Sequence, residues 1–168
     1  FIVSPFRCFL GLDGSIRGIP FIFSPRVMFC NPQLLKESGL EVPSEEWTSD
    51  DFLHLLGRLS RKVSKERLLN YSAGAFFWMN FVFRSGGTLI DPFAENPVQI
   101  DSPETVRGIE QVRNLRNVLS AEKAAACDWK REFCEGRMPF VLAEREFLCT
   151  LRAEGMNDWS VLPPPRDP

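Results

Sequence analysis

The chain has 168 residues, a formal net charge of -2 and 44% hydrophobic residues. This length suits one ordinary domain with a single core and is too short for two large domains. The nearly balanced charge gives no electrostatic footprint for nucleic acid or an anionic membrane surface, so neither partner is expected. No apolar run approaches the roughly 20 residues that a membrane-spanning helix needs.

The five cysteines and the single histidine do not form a metal-binding pattern. No two cysteines are arranged as C-x-x-C, so neither a zinc site nor a cofactor is expected. An odd number of cysteines leaves at least one thiol free. Cys127 and Cys134 would lie ~10 Å apart along a continuous helix, which is too far for a disulfide. Most of the cysteines are therefore expected to be small buried residues.

The N-terminal quarter of the chain predicts a turn, two strands and a short helix. Asp13-Gly14 is a turn dipeptide, and the apolar runs at 19–23 and 27–30 are short and rich in β-forming residues. Asn31 suits the cap of a helix, and Gly39 suits the left-handed residue that follows its last turn. Two strands are therefore expected to lead into a helix of barely two turns.

A second helix is predicted after Thr48, which suits an N-cap. Phe52, Leu56 and Leu59 recur at helical spacing, and His54 falls on the opposite side. We expect the three apolar side chains to be buried. The histidine is expected to be a solvated surface residue rather than a catalyst or ligand.

The segment from Phe76 to Phe83 is the most aromatic part of the chain. It is apolar on all sides and is closed by Gly86-Gly87, which predicts a buried helix. Core packing explains these aromatics well, since phenylalanine is far more often a core residue than a ligand contact. Trp78 is expected to be largely buried.

The segments on either side of this helix have their own signals. Residues 68–73 predict a short strand, and residues 88–100 predict a loop or short hairpin.

Three further elements are predicted in the second half. Ser102-Pro103-Glu104 begins a helix, Asp128 caps a short helix at 129–135 that ends at Gly136, and residues 157–163 form a strand. Strands alternate with helices throughout. This order predicts an α/β domain with a mostly parallel sheet flanked by helices.

Short motifs between Asp13 and Trp47 occur in an order that is typical of one protein family. Their residues are Asp13-Gly14, Gly18-Ile19-Pro20, Asn31, Leu34, Gly39-Leu40, Pro43 and Trp47, and Phe133, Gly136, Arg137 and Asn157-Asp158-Trp159 add later matches. With these motifs the chain resembles the extracellular solute-binding proteins of family 1, the maltodextrin-binding-protein-like subunits that collect sugars for ABC importers. Arg17, Cys30 and Leu35 depart from the family pattern, which has Tyr, Tyr and Phe there.

The resemblance implies a periplasmic-binding-protein-like (type II) lobe and the binding of a carbohydrate in a cleft between two lobes. Residues 1–23 would then be the end of the first lobe and the crossing strand, and residues 24–168 the incomplete second lobe. The chain would be an interior piece of an extracytoplasmic protein, periplasmic or lipoprotein-anchored, whose export signal lies outside it. Its partner would be the membrane permease. The apolar face of residues 1–10, packed against the first lobe in the family, would make the isolated chain self-associate.

The family's cleft positions imply a set of ligand contacts in this chain. One or two aromatics at the start of the helix at 76–83 would cover the apolar face of a sugar ring, while hydroxyl and carboxylate groups would bind its hydroxyls. The predicted ligand-contacting residues are Ser24, Phe76, Phe77, Trp78, Glu144, Glu146 and Phe147.

Two alternatives stay open. Within a strand, Glu144 and Glu146 would share a face with some 6 to 7 Å between their Cα atoms, a spacing that fits the paired carboxylates of a glycoside hydrolase. No G-x-S-x-G, H-E-x-x-H, P-loop or G-x-G-x-x-G sequence occurs, so a binding protein rather than an enzyme is expected. The other alternative is a non-binding remnant that serves only as an interaction surface.

Overall fold

The computed structural model describes residues 9–11, 13–19, 21, 24–91 and 94–167, and at Phe76 it describes the backbone. Most of the N-terminal face at 1–10 and part of the predicted strand at 19–23 therefore lie outside the described residues. The elements are β1 (Arg26–Cys30), α1 (Pro32–Glu37), α2 (Ser49–Leu59), a 3₁₀ turn (Lys65–Arg67), α3 (Ala75–Arg84), α4 (Pro103–Val118), α5 (Ala121–Ala125), α6 (Trp129–Cys134), β2 (Phe140–Glu144), α7 (Phe147–Ala153) and β3 (Ser160–Leu162).

The three strands form one sheet in the order β2-β1-β3, and both ladders are antiparallel. The prediction of a mostly parallel sheet is therefore wrong. β2 and β3 run in the same direction and are connected through α7, as a parallel crossover requires, but β1 lies between them and runs the opposite way. The alternation of strands and helices predicts the crossover. It carries no information about an early strand that is inserted into it.

Helices cover both faces of the sheet, which confirms the α/β class. Successive residues of a strand point to opposite faces, so Met28 and Cys30 join one group of buried side chains and Phe29 joins the other. The first core cluster adds residues of α1, α2, α3 and α4, such as Leu35, Leu56 and Leu115. The second core cluster lies under α6 and α7 and consists of Phe29, Phe133, Met138, Val141, Ala143, Phe147 and Leu151.

The predicted helix ends in the first half are confirmed. The Asn31 side chain accepts a hydrogen bond from the backbone N–H of Leu34 at 3.0 Å, and Gly39 has a φ of 71°. Thr48 and Asp51 form a reciprocal capping box at the start of α2. Such a box satisfies two backbone donors that the first turn would otherwise leave unpaired.

The buried face of α2 is also confirmed, because Phe52, Leu56 and Leu59 are buried and His54 is exposed. α3 forms where the aromatic segment predicts it. Trp78 is only partly buried and Phe83 is 53% exposed, so the expectation of a helix buried on all sides is wrong for these two side chains.

The predicted strand at 68–73 is wrong. Its sequence follows the 3₁₀ turn and makes a single parallel bridge, between Leu69 and Phe140. The next residue, Asn70, replaces backbone pairing with its side chain: its amide donates to the Leu142 carbonyl at 3.0 Å and accepts from the Leu142 N–H at 2.7 Å. This side chain covers the outer edge of β2, which would otherwise expose unpaired backbone groups.

A short hairpin leads from α3 into α4, as predicted. Ile90 pairs with Val98 in an antiparallel bridge, and the Thr105 hydroxyl donates to the Thr88 carbonyl at 2.9 Å, which ties the hairpin to the first turn of α4. α4 then packs closely on α3 at Gly108. A Cβ atom at this position would lie 2.5 Å from the Cα of Val82.

The remaining predicted elements are confirmed in place. Asp128 caps α6, Gly136 has a φ of 74° after it, and β3 lies within the predicted strand. None of the described helices combines the length and the apolar character needed to cross a membrane.

The cysteines that the structure describes, Cys30, Cys127, Cys134 and Cys149, are free, and Cys30 alone is buried. Burial raises the pKa of its thiol to about 12. Cys127 and Cys134 are partly buried and Cys149 is exposed, so the expectation that most cysteines are buried is wrong for the described ones.

Candidate ligand-binding site

A cavity of about 610 Å³ opens where β1 begins and β2 ends. These strand ends meet because the two strands are antiparallel, with Arg26 opposite Glu144 in the register. The segment from Asn70 to Gly74, the first turn of α6 and the first turn of α7 complete its walls. We call it the strand-end cavity.

Two carboxylates stand at this cavity, and each has its own partner across the strand ends. The guanidinium of Arg26 lies 3.4 Å from the Glu144 carboxylate. The Ser24 hydroxyl donates a hydrogen bond to Glu146. This bond lowers the pKa of Glu146, and the positive charge of Arg145 adds to the effect. Glu146 is therefore an ionised hydrogen-bond acceptor at neutral pH.

The carboxylates do not share one strand face. β2 ends at Glu144, and Glu146 already has helical backbone angles, with φ of -59° and ψ of -22°, at the start of α7. The geometry therefore gives no support to the paired-carboxylate arrangement of a glycoside hydrolase.

Two partly buried aromatic residues, Tyr71 and Trp129, line the cavity together with the carboxylates. Tyr71 follows Asn70, whose two hydrogen bonds to β2 fix the position of the chain there. The Tyr71 ring meets the Phe77 ring edge-on, with 5.3 Å between ring centroids. Tyr71 thus adds to the cavity wall a side chain with both an apolar ring and a polar hydroxyl.

Trp129 is the first residue of α6, after the Asp128 cap. Its ring lies 5.1 Å from the ring of Phe147 between centroids, and the Lys130 ammonium lies 5.5 Å from its centroid. Packing on Phe147 fixes the indole against the second core cluster. The cavity therefore combines fixed aromatic rings with ionised side chains.

The structure places the predicted contact residues unequally. Phe77, Glu144, Glu146 and Phe147 line the cavity, and Ser24 is attached to it through Glu146. Phe77 and Phe147 are only 3% and 5% exposed, so both rings belong mainly to the hydrophobic core.

Two other predicted contacts are not placed at the cavity. Trp78 is not among its lining residues, and the side chain of Phe76 lies outside what the structure describes. The binding role of all seven predicted residues stays a prediction.

Among the cavity residues that sequence reasoning missed are Arg26, Asn70, Tyr71 and Trp129. Tyr71 is the only tyrosine in the chain, and both Tyr and Trp carry a polar atom, which suits a half-exposed wall better than the phenylalanines. This chemical difference is the signal by which the sequence could have indicated Tyr71 and Trp129 as wall residues. Arg26 and Asn70 have no such signal, because their positions depend on the strand register.

No family model and no curated protein sequence matches the chain. Solved structures do share its fold, among them the GacH receptor of Streptomyces glaucescens, whose structures include complexes with acarbose (18% identity, TM-score 0.72, 94% of this chain and 41% of that one). An ABC substrate-binding protein from Listeria monocytogenes in complex with cycloalternan has 18% identity and a TM-score of 0.73 over 96% of this chain and 42% of that one. UgpB from Mycobacterium tuberculosis, in complex with glycerophosphocholine, has 19% identity and a TM-score of 0.70 over 100% of this chain and 44% of that one.

The chain thus spans less than half the length of each of these proteins. At such low identities the similarity establishes the fold. The chain has the periplasmic-binding-protein-like fold, as the sequence motifs led us to expect.

Proposed function

We propose that the chain binds a carbohydrate in the strand-end cavity. The observation that carries this proposal is the pairing of two partly buried rings, Tyr71 and Trp129, with the ionised Glu146 in one cavity. A sugar ring has an apolar C–H face that an aromatic ring covers and a rim of hydroxyls that needs polar partners. The cavity offers both kinds of surface, and two of the structural neighbours were solved with saccharide ligands.

The cavity is also open, which fits one half of a two-lobed site. In this proposal residues 24–168 belong to a second lobe, residues 1–23 lead in from a first lobe, and closure of the two lobes buries the ligand. The protein acts outside the cytoplasm and delivers the ligand to the membrane permease of an ABC importer. The share of each neighbour that the chain spans, less than half, supports this division.

Catalysis is not part of the proposal. The paired carboxylates of a glycosidase are not favoured, because β2 ends at Glu144 and Glu146 lies in helical backbone at the start of α7 rather than on the same strand face. An assay for reducing sugar released from a glycoside panel separates the two functions. Turnover that disappears in Glu144→Gln would favour the hydrolase.

Calorimetry with a panel of oligosaccharides tests the binding site, and a two-lobed protein that contains this chain is the better sample. Tyr71→Ala and Trp129→Ala each remove a ring from the cavity wall, and we expect each to weaken binding at least tenfold, about 1.4 kcal/mol. Phe83→Ala is the matched control, because Phe83 is an exposed aromatic of α3 and does not line the cavity. Its affinity should equal that of the unchanged protein.

The residues predicted from sequence alone need their own variants. Phe76→Ala and Trp78→Ala should weaken binding if either ring forms the platform, and Ser24→Ala should do so if Glu146 needs its hydroxyl partner. Unchanged affinity in Tyr71→Ala and Trp129→Ala would refute the strand-end cavity as the site. No heat of binding with any saccharide would refute the proposed ligand class.

A further inference from the structure

Asn70 lies at the strand-end cavity, but its side-chain amide is already committed to the protein. The residue is 9% exposed, and its oxygen and nitrogen both bond to the backbone of Leu142, at 2.7 and 3.0 Å. A buried hydrogen bond of this kind is costly to leave unmade, because water does not replace the lost partner. The amide therefore connects two parts of the cavity wall.

The backbone at Asn70 turns sharply, which explains why a side chain makes this connection. Leu69 still pairs with Phe140 of β2. The N–H of Tyr71 then donates back to the Leu69 carbonyl at 2.8 Å, in a three-residue turn centred on Asn70. The Tyr71 N–H is thus not available to continue the pairing with β2, and the Asn70 amide supplies both a donor and an acceptor in its place.

The two segments that Asn70 joins each lead to a side chain of the proposed site. Tyr71 is the next residue, and its ring packs on Phe77. Leu142 and Glu144 lie two residues apart in β2, so their side chains point to the same face of the sheet. One buried amide therefore sets the position of the Tyr71 ring relative to the Glu144 carboxylate.

We propose that Asn70 is a positioning residue of the strand-end cavity, whose amide holds the Tyr71 ring where a saccharide needs it. This role rests on the proposed function, because it presupposes a saccharide in the cavity. Asn70 acts through Tyr71 rather than through a bond of its own to the ligand. A ring that is already in place does not have to be ordered when the saccharide binds, and such preorganisation raises affinity.

Asn70→Asp tests this role, because only one of its protonation states reproduces the amide. An ionised carboxylate accepts from the Leu142 N–H but has no donor for the Leu142 carbonyl, whereas a protonated carboxyl group has both. Burial beside a carbonyl oxygen favours the protonated form. At mildly alkaline pH the variant should therefore bind at least roughly tenfold more weakly than the unchanged protein. At mildly acid pH it should bind nearly as well.

Calorimetry with acarbose and cycloalternan, the ligands of two structural neighbours, measures this difference in the same two-lobed sample. Asn70→Ala has neither donor nor acceptor, so its affinity should be reduced at both pH values. The other charged or titratable side chains that line the cavity are the same in every variant: Arg26 on β1, Glu144 on β2, Glu146 before α7, Lys130 on α6, and Tyr71. Each affinity is therefore compared with that of the unchanged protein at the same pH.

Asn114→Asp is the matched control, since it makes the same chemical change at an exposed position of α4 that does not line the cavity. Its affinity should equal that of the unchanged protein at both pH values.

The Tyr71 ring provides a second readout that needs no ligand. Tyr71 is the only tyrosine in the chain, so NMR of the chain with ring-labelled tyrosine reports this one ring and its contact with Phe77. We expect the contact to be lost in Asn70→Ala at both pH values. In Asn70→Asp it should be lost at mildly alkaline pH and return in acid. If Asn70 only stabilised the fold, the ring would stay in place in every variant whose circular dichroism shows intact helices.

Two results would overturn the proposal. One is a Tyr71 ring that keeps its contact with Phe77 in both Asn70 variants, and the other is a ring that moves without any loss of affinity. If Asn70→Ala does not fold, the pH dependence of Asn70→Asp decides alone, and affinity that does not recover in acid counts against the role. If the unchanged protein binds neither saccharide, the result counts against the proposed function, and the ring signals still decide whether Asn70 positions Tyr71.

Discussion

The two faces of the sheet are covered in different ways. The first core cluster is covered by α2, α3 and α4, which have 11, 10 and 16 residues, whereas the second lies under α6 and α7, which have 6 and 7. Helices as short as the latter pair are not stable by themselves. They are fixed by aromatic packing around Phe147, whose ring lies 5.2 Å from that of Phe29 and 5.7 Å from that of Phe133.

The candidate site lies where the two clusters meet, and the short helices of the second cluster supply part of its wall. Trp129 and Phe147 belong to the rings that hold α6 and α7, and both line the strand-end cavity. The first cluster holds more of the buried apolar side chains, and it too reaches the cavity, where Phe77 and Leu142 belong to it and Tyr71 packs against it. The comparison teaches that packing beneath the proposed site has a second task, since it positions the side chains that we propose contact a carbohydrate.

The largest expected effect compares one fully buried phenylalanine from each cluster. Phe140 lies in the first, with the rings of Phe52 and Trp47 at 5.6 and 5.9 Å, and Phe133 lies in the second. Phe140→Ala should cost about 5 kcal/mol and Phe133→Ala about 3 kcal/mol, the upper and lower ends for such changes. The six-residue α6 can shift to fill a cavity, whereas the sheet under Phe140 cannot. Urea denaturation of both variants gives the two values.

Equal losses in the two variants would contradict the difference in rigidity between the clusters. A larger loss for Phe133→Ala would reverse it, and the short helices would then be the more firmly packed layer. Leu56→Ala tests the packing of the buried face of α2 in the first cluster, and we expect it to lower the free energy of unfolding by about 2 to 5 kcal/mol.

A second prediction concerns the helix pair that closes the first cluster. A methyl group on Gly108 would lie 2.5 Å from the Cα of Val82 and 2.9 Å from the carbonyl oxygen of Phe81, both backbone atoms. Gly108→Ala should therefore force α3 and α4 apart and cost about 1 to 3 kcal/mol. Gly57 is the matched control, since it lies in α2 and a methyl group on it would meet no described atom within 4 Å beyond the backbone of its own helix. Gly57→Ala should stabilise the domain by about 0.5 to 1 kcal/mol; stabilisation by both changes would refute the close helix contact.

The sequence predicted local structure well where a signal and its effect are neighbours. The caps at Asn31, Thr48 and Asp128, and the left-handed Gly39 and Gly136, depend on residues within one helical turn. The burial of one side of α2 likewise follows from its own periodicity. Such features need no knowledge of the rest of the fold.

The sheet order and much of the candidate site could not be predicted in this way. Whether β1 lies between β2 and β3 depends on pairing between distant residues, such as Arg26 with Glu144. The strand predicted around Asn70 failed because a side chain, rather than the backbone, pairs with Leu142. Tyr71 was then missed as a wall residue, since its position follows from that pair of bonds.

The prediction with the smallest expected effect concerns the charged side chains that hold α6 from outside the second core cluster. The Glu132 carboxylate accepts hydrogen bonds from the guanidinium of Arg137 at 2.8 and 3.0 Å and lies 2.9 Å from the guanidinium of Arg67 in the 3₁₀ turn. These two cations, the hydrogen bond from Arg137 foremost, lower the pKa of Glu132. Glu132→Gln removes the charge, and we expect a loss of about 1 kcal/mol at neutral pH, the upper end for ion pairs near a surface.

The pH dependence distinguishes this ion network from ordinary packing. Because the pKa of Glu132 is lower in the folded than in the unfolded chain, the unfolded chain binds more protons at acid pH. The stabilisation is therefore complete above the unfolded pKa and disappears as the pH falls through the folded one, so the unchanged protein and Glu132→Gln should converge in acid. Glu122→Gln is the control: that carboxylate is exposed on α5 and forms no ion pair within the described part of the chain, so its removal should change stability by less than about 0.5 kcal/mol at any pH. Thermal denaturation from neutral to acid pH measures the difference in stability between Glu132→Gln and the unchanged protein. If this difference stays constant, α6 is held by its buried rings alone, and the ion network does not stabilise the second cluster.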